Sequence, residues 1–238
     1  MNVYACSDLH GMYDLYQQIK DFIKPEDIVY CLGDCGDRGP DGWQIITEII
    51  NNPQWIYLKG NHEDMLAKAI KSISEGFPDC DSNEYFLLTY NGGGKTYRDW
   101  AGDTNWDTSW ANKLSNLPYK TNYVNTFGST ILLSHSGYNP RPEEERSKPY
   151  TEHDFLWNRN HMKTSIWCGR ENEYIVHGHT PTPYAQKGCN RPDLLRIENY
   201  CEGHKFNLDL ASWYTGVACL LNLDTFEEHY FYTEPLKI

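Results

Sequence analysis

The chain of 238 residues lacks any apolar run that approaches the roughly 20 residues of a membrane-spanning helix. It also lacks a basic excess, because its formal net charge is −12. Without such an excess, nucleic acid and anionic membranes are not expected as general partners. The first predicted strand begins at Val3, which leaves no room for a signal peptide. We therefore expect a cytoplasmic protein.

The eight cysteines show no C-x-x-C spacing, and several fall within predicted core strands. Large proteins without an export signal usually keep such thiols reduced, so we expect no disulfide framework. The sequence also lacks internal repeats and linker-like segments, and its length fits one domain. We predict a single domain over 1–238, in which the polar, aromatic segment 79–117 forms a helical cap or wall.

The chain does contain five short apolar runs that each end in residue types suited to metal or phosphate. The runs are Val3–Cys6, Ile28–Leu32, Trp55–Leu58, Ile131–Leu133 and Tyr174–Val176. Ligands of open α/β sheets collect beyond the carboxyl ends of the strands, so these five ends predict one shared site. A lone Asp or His there is more often a turn cap, but six such residues together favour a metal centre.

The spacing of apolar residues predicts an α/β fold. Helical periodicity follows each of the first three runs, which indicates alternating strands and helices on a parallel sheet. Beyond Tyr119, short strands separated by turns predict an antiparallel second half. Together these halves suggest two packed sheets with helices outside.

The residue types suit a site for two metal ions. Asp8 and His10 are two residues apart, so on extended backbone both side chains reach one ion. Asp34 follows the second strand, and its two carboxylate oxygens can bridge two ions. Ligands for a second ion follow three further strands: Asn61, His135 and His179. Oxygen and nitrogen ligands without thiolate suit manganese, iron or zinc, and two such ions orient a phosphoryl group for in-line attack.

Several segments together resemble the motifs of the calcineurin-like metallophosphoesterases. These segments are Asp8–Gly11, Gly33–Gly39, Gly60–Glu63, Ser134–His135 and His177–Pro181. The resemblance is closest to the small phage and bacterial members of the Ser/Thr protein phosphatase (PPP) branch, of the phage lambda phosphatase type. It implies a four-layer α/β/β/α sandwich of two mixed sheets, with a two-metal site, often manganese, at one edge of the sheets.

The resemblance also assigns roles to individual residues. The implied ligands are Asp8, His10 and Asp34 for the first ion, and Asp34, Asn61, His135 and His179 for the second. His62 becomes the general acid, and the Asp37 carboxylate orients its ring. Arg38 and Arg159 become the guanidinium groups that bind the phosphoryl oxygens, together with the amide of Asn61.

The resemblance implies a metal-dependent phosphomonoesterase, specifically a Ser/Thr protein phosphatase acting on phosphorylated proteins or peptides. The mechanism expected on this basis is direct in-line attack of a hydroxide held by two metals, without a phosphoenzyme. Glu63 and the run Gly92–Gly94 favour this activity. One alternative is hydrolysis of small nucleotides, either dinucleoside polyphosphates or cyclic phosphodiesters. A second is a non-catalytic protein-binding scaffold, which is disfavoured because every expected ligand position is filled.

Overall fold

The computed structural model describes residues 1–74, 83–104, 107–138, 140, 149–163, 166–188 and 191–236. Within these ranges, ten strands form two sheets. The strands are β1 Val3–Cys6, β2 Ile28–Cys31, β3 Trp55–Tyr57, β4 Lys120–Val124, β5 Thr130–Ser134, β6 Glu173–His177, β7 Glu198–Tyr200, β8 Lys205–Asn207, β9 Val217–Asn222 and β10 Glu228–Tyr232. The α-helices are α1 Tyr13–Phe22, α2 Gly42–Asn51, α3 Asn61–Ser74, α4 Asn83–Tyr90, α5 Gly94–Gly102, α6 Ser109–Ser115, α7 Glu152–Leu156, α8 Pro183–Gln186 and α9 Ser212–Thr215. Short 3₁₀ turns lie at Asn160–Lys163 and Pro192–Leu194.

Both sheets are mixed. The first has the order β10-β9-β1-β2-β3, in which β1, β2 and β3 are parallel and β9 is antiparallel to both of its neighbours. The second has the order β4-β5-β6-β8-β7, with a parallel centre of β5, β6 and β8 and antiparallel edge strands. The register pairs Cys6 with Cys31 and Cys31 with Tyr57, so the carboxyl ends of β1, β2 and β3 lie side by side.

The prediction of an antiparallel second half is therefore right for the pairs β4–β5, β7–β8 and β9–β10 but wrong for the centre of the second sheet. The turn-rich sequence after Tyr119 suggested antiparallel neighbours throughout, but β5, β6 and β8 run parallel. Parallel neighbours need a crossover of a dozen or more residues, and the segment 135–172 between β5 and β6 supplies one. After β8 the chain returns to the first sheet, where β9 pairs with β1.

Alternate residues of the central strands divide the core in two. Val3 and Ala5 of β1 belong to a cluster between the sheets, whereas Tyr4 and Cys6 belong to a cluster with α1, α2 and α3. Side chains in a strand alternate between its two faces, so a strand buried on both faces reads as a continuous apolar run. This double burial explains why the first strands could be predicted from composition.

A thinner layer covers the far face of the second sheet. The Phe155 carbonyl of α7 accepts a hydrogen bond from the Ser136 amide at 2.8 Å, and the His161 ring lies 4.9 Å from that of His177 in β6. With α1, α2 and α3 beyond the first sheet, the layers are helix, sheet, sheet and helix. The predicted α/β/β/α sandwich of two mixed sheets is confirmed.

The structure describes only part of the segment predicted as a helical cap or wall. The segment 79–117 contains α4, α5 and α6, but 79–82 and 105–106 lie outside the described residues. Four cysteines within the described ranges are free thiols: Cys6, Cys31, Cys35 and Cys219. In those same ranges, no helix combines the length and the apolar composition that crossing a membrane would require.

We predict that Leu221→Ala strongly destabilises the fold. Leu221 of β9 is fully buried between the sheets, and truncating such a leucine lowers the free energy of unfolding by about 2–5 kcal/mol. Urea unfolding should show this loss, whereas Val124→Ala, at a position 62% exposed in β4, should change stability by less than about 0.5 kcal/mol. Equal effects of the two changes would contradict this description of the core.

Candidate metal centre

The polar residues that follow the strands converge on one buried site. Asp8 and His10 follow β1, Asp34 follows β2, and Asn61 begins α3 after β3. The two remaining predicted ligands come from the second sheet: His135 after β5 and His179 after β6. Each of the six side chains is at most 5% exposed. The structure thus brings together every residue that the sequence proposes as a ligand.

Four of these six residues adopt left-handed backbone conformations, which direct their side chains into the site. The φ angles are +54° at Asp8, +43° at His10, +55° at Asp34 and +70° at His179. The extended-backbone argument for Asp8 and His10 is therefore wrong, although the two side chains do approach each other. Non-glycine residues in this region carry strain on the order of 1–3 kcal/mol each, which persists only where surrounding contacts enforce it. One such contact is the 3.0 Å hydrogen bond from the His10 amide to the Asp34 carbonyl.

The residues expected to hold the second ion are Asp34, Asn61, His135 and His179, and their nitrogen and oxygen atoms form a tight group. His135 Nε2 lies 3.3 Å from Asp34 Oδ2 and 2.9 Å from Asn61 Oδ1. His179 Nδ1 lies 2.9 Å from the same Asn61 oxygen and 3.1 Å from His135 Nε2. His135 Nδ1 donates to the Leu32 carbonyl at 2.9 Å, so the neutral ring points its Nε2 lone pair into the group. Such a concentration of lone pairs requires a proton or a cation.

The pKa of His135 reflects this requirement. Burial alone would lower the pKa, but the Asp34 carboxylate outweighs it and raises the pKa of His135 to about 9. A site that attracts a proton so strongly also attracts a divalent cation, whose binding displaces the proton. The pKa of His179 lies well below its ordinary value because of burial and the neighbouring His135. A neutral imidazole is the form that binds metals.

The first-ion residues are more widely spaced. His10 Nε2 lies 3.9 Å from Asp8 Oδ1 and 3.7 Å from Asp34 Oδ2. Two atoms that each lie about 2.1 Å from one ion are no more than about 4.2 Å apart, so these distances are compatible with shared coordination. However, Arg38 Nη1 donates to His10 Nε2 at 2.9 Å. The guanidinium therefore uses the lone pair that an ion would need, and Arg38 must withdraw when one binds.

Two further observations fit bound cations. Asp8 Oδ1 is buried and has no hydrogen-bond partner among the described residues, a costly state that a bound ion relieves. Two glycines leave room for the carboxylates: a Cβ at Gly178 would lie 1.9 Å from Asp8 Oδ2, and one at Gly60 would lie 2.2 Å from Asp34 Oδ1. Because Asp34 belongs to both groups, the residues present fit two divalent ions that share its carboxylate.

A histidine–carboxylate pair lies beside the shared aspartate. His62 Nδ1 donates to Asp37 Oδ2 at 2.6 Å, while His62 Nε2 faces Asp34 Oδ2 at 3.8 Å. Burial lowers the pKa of His62, but the carboxylates of Asp34 and Asp37 outweigh it and leave the pKa raised. The Asp37 amide donates to Thr96 Oγ1 of α5 at 2.8 Å, which ties the pair to the helical segment. This geometry suits proton donation from Nε2.

The two predicted phosphate-binding arginines occupy different places. Arg38 lies at the site itself, since its Nη2 is 3.4 Å from His62 Nε2 and its guanidinium stacks 5.5 Å from the Trp213 ring. Arg159 is exposed, and its Nη1 donates to Thr180 Oγ1 at 2.8 Å. That bond holds it next to His179, on the side of the second-ion residues. The structure therefore places the two guanidinium groups near different members of the site.

Glu63 has a supporting role that the sequence interpretation missed. Its buried carboxylate accepts hydrogen bonds from the amides of Asp34 and Gly60, each at 2.8 Å, and from that of Cys35 at 3.0 Å. The Tyr57 hydroxyl donates to it at 2.7 Å. An acidic residue in the first turn of α3 was a visible signal, because carboxylates favour helix N-termini and their free amides. Glu63 thereby fixes the turn that carries the shared aspartate.

The model of the family described as calcineurin-like phosphoesterase matches residues 1–210. The chain belongs to this family. Its members are dinuclear metal-dependent hydrolases of phosphoesters. Two groups of potential ligand atoms share Asp34, in agreement with such a centre: one contains His10, Asp34 and His62, and the other Asp34, His135 and His179.

One sequence relative and two solved structures are similar to this chain. Serine/threonine-protein phosphatase 2 of Escherichia coli (strain K12) is 27% identical over 192 residues, which are 75% of this chain and 79% of the relative. A "putative diadenosine tetraphosphatase" superposes with a TM-score of 0.62 at 17% identity, covering 97% of this chain and 93% of its own. A Saccharomyces cerevisiae protein serine/threonine phosphatase, similar to human PP5, gives 0.57 at 13% identity and coverages of 100% and 81%. The last two likenesses show the fold alone.

We predict that Glu63→Gln weakens metal binding. A glutamine side chain loses one acceptor oxygen and presents an NH₂ group to backbone amides, so the Asp34 turn loses part of its support. Changes to groups that orient metal ligands typically cost about 10–100-fold in metal affinity. Calorimetric titration with Mn²⁺ should show such a loss. Glu26→Gln, in the exposed turn before β2, is the matched control, and equal affinities would rule out the proposed support.

Proposed function

We propose that this calcineurin-like phosphoesterase is a Ser/Thr protein phosphatase, a metal-dependent phosphomonoesterase acting on phosphorylated proteins or peptides. The observation that carries the proposal is the His62–Asp37 pair, whose Nε2 faces the shared Asp34 with Arg38 beside it. The E. coli relative named as a serine/threonine-protein phosphatase supports the same substrate class. The cytoplasmic location and the single-domain organisation stay predictions from the sequence.

We propose that Asp8, His10 and Asp34 hold one ion. For the second ion the proposed ligands are Asp34, Asn61, His135 and His179. We propose manganese as the metal, with iron or zinc as alternatives; two such ions, when bound, would activate a water molecule and bind phosphoryl oxygens. Asp34 Oδ2 lies within 3.3–3.8 Å of an imidazole nitrogen from each of His10, His62 and His135. That central position is what one carboxylate serving both ions requires.

His62 supplies the proton for the leaving group. The carboxylates of Asp34 and Asp37 raise its pKa and so favour the protonated ring, while the 2.6 Å bond from Nδ1 to Asp37 fixes the ring. The serine or threonine oxygen of the substrate takes this proton as its bond to phosphorus breaks. Asp37 stabilises the positive charge of the imidazolium before the transfer.

The arginines bind the phosphoryl group. With an ion held by His10, the Arg38 guanidinium would be free of that ring, and its planar group would donate parallel hydrogen bonds to two phosphoryl oxygens. Its stacking on Trp213 limits how far it can move. We propose that Arg159 and the amide of Asn61 contact the remaining oxygens from the side of His179. Two guanidinium groups and one amide would thus face the negative charge that develops on the phosphoryl group.

We predict that His62→Asn lowers turnover by about 10²–10⁴-fold, the usual contribution of a general acid. The asparagine amide still donates to Asp37 but cannot deliver a proton, so metal content should stay near the wild-type value. Steady-state kinetics on a phosphoserine peptide, with elemental analysis of the same sample, check both points. His153→Asn, an exposed position in α7, is the control. Wild-type rates on several monoesters would disprove the acid role.

Hydrolysis of small nucleotides is the second candidate function. The structural likeness to the "putative diadenosine tetraphosphatase" covers nearly the whole of both chains. A groove beside Arg38 is also lined by Tyr90, Trp213 and Tyr214, on whose rings a base can stack. The scaffold alternative is disfavoured, because a non-catalytic descendant has no need to keep all six ligand-type residues buried in one site.

A substrate panel tests the proposed function. The manganese-loaded protein is assayed on phosphoserine and phosphothreonine peptides, dinucleoside polyphosphates and cyclic nucleotides under the same conditions. We expect kcat/KM for the best phosphopeptide to exceed that for every nucleotide by at least about tenfold, because Arg38 and Arg159 offer a compact site for one phosphoryl group. A clear preference for nucleotides would overturn the substrate assignment and leave the family and the fold unaffected.

A further inference from the structure

An open groove of about 810 Å³ begins at the phosphoester site. Arg38 forms its inner end, and the same guanidinium contacts His10 and His62. Tyr90 of α4 and the α9 residues Trp213 and Tyr214 form its walls. A substrate whose phosphoryl group reaches Arg38 must therefore place its adjoining atoms next to Arg38, where the groove begins.

The groove presents apolar surface to solvent. Tyr90 is 80% exposed and Tyr214 is 41% exposed. Phe86, 67% exposed and one turn before Tyr90 in α4, stacks on the Tyr90 ring with the centroids 6.1 Å apart and the planes at 20°. Contiguous exposed apolar surface beside an active site typically marks a binding surface. Aromatic rings bind ligands well because they offer large rigid surfaces at a low entropic cost.

Backbone contacts hold the walls in place. The Arg38 amide donates to the Gly92 carbonyl at 3.0 Å, which joins the inner end of the groove to the turn after α4. The Leu236 amide donates to the Trp213 carbonyl at 3.2 Å, which joins α9 to the segment after β10. The groove is thus formed before any substrate binds, and little binding energy is spent on ordering it.

The charge of the groove distinguishes between possible occupants. Arg38 is the one charged residue among the described residues that line it. A dinucleoside polyphosphate carries several negative charges along its chain, and most of these would face apolar walls without a cation, which is unfavourable. A phosphoserine beside an apolar residue places one dianion at Arg38 and an uncharged group in the groove. The phosphoserine with an apolar neighbour therefore matches the single cation and the apolar walls of the groove.

We propose that this groove binds an apolar or aromatic side chain next to the phosphorylated residue, and so selects phosphopeptides of that class. The inference rests on the proposed phosphatase function and adds a sequence preference to it. Apolar pockets discriminate between substrates that differ in one apolar group by about 10–200-fold. Because this groove is open to solvent, we expect a preference near the lower limit.

The test uses two phosphoserine peptides that differ only in the residues flanking phosphoserine, phenylalanine in one and glycine in the other. For the manganese-loaded protein we expect kcat/KM to favour the phenylalanine peptide by about tenfold. The double variant Tyr90→Ala, Tyr214→Ala should reduce this ratio to below about threefold, because both walls lose their rings. Phe127→Ala, which removes an aromatic ring 77% exposed in the β4–β5 turn, should keep the wild-type ratio.

A binding measurement separates this inference from the phosphatase proposal. Fluorescence anisotropy with labelled versions of both peptides and the His62→Asn variant should show about tenfold tighter binding of the phenylalanine peptide, independently of turnover. Equal kcat/KM or equal affinity for the two peptides overturns the groove assignment while the phosphatase activity stands. Stronger competition by diadenosine tetraphosphate, lost in the double tyrosine variant, overturns it in favour of a base. Failure to hydrolyse any phosphomonoester contradicts the phosphatase proposal itself.

Discussion

The arrangement of the site depends on one buried carboxylate. Asp34 Oδ2 has imidazole nitrogens of His10, His62 and His135 within 3.3–3.8 Å. Burial alone would raise the pKa of Asp34, but the neighbouring histidines outweigh it and hold the pKa well below the usual range. A buried anion is tolerated only where opposite charge and hydrogen bonds compensate for lost hydration. The fold meets this requirement by bringing cationic or metal-binding groups from both sheets to the same point.

The chemistry of the site follows from where the strands end. Parallel strands deliver their carboxyl ends to one edge, and left-handed turns immediately after them redirect the side chains inward. Glu63 fixes the Asp34 turn from α3, and Thr96 of α5 receives the Asp37 amide. The ligand groups and the proton donor are therefore positioned by different elements. A change in the helical segment can alter proton transfer without removing any proposed metal ligand.

Residue types and strand ends were enough to predict the convergence of Asp8, Asp34, Asn61 and His179, because parallel strands leave little freedom for where their ends lie. The left-handed backbone was not predictable from these non-glycine residues, since nothing local favours it and only tertiary contacts enforce it. The parallel pairing of β5, β6 and β8 was missed because short strands and turns look alike in meanders and crossovers. The contact between Arg38 and His10 depends on long side chains whose rotamers the sequence does not determine.

The most direct test of the dinuclear metal centre is anomalous diffraction at the manganese absorption edge from crystals of the protein grown with Mn²⁺. We expect two peaks per chain, both next to the Asp34 carboxylate, with the Arg38 guanidinium displaced from His10. No peak beside Asp34, or Mn²⁺ bound only at sites remote from it, would contradict the claim that the strand ends assemble a dinuclear metal centre.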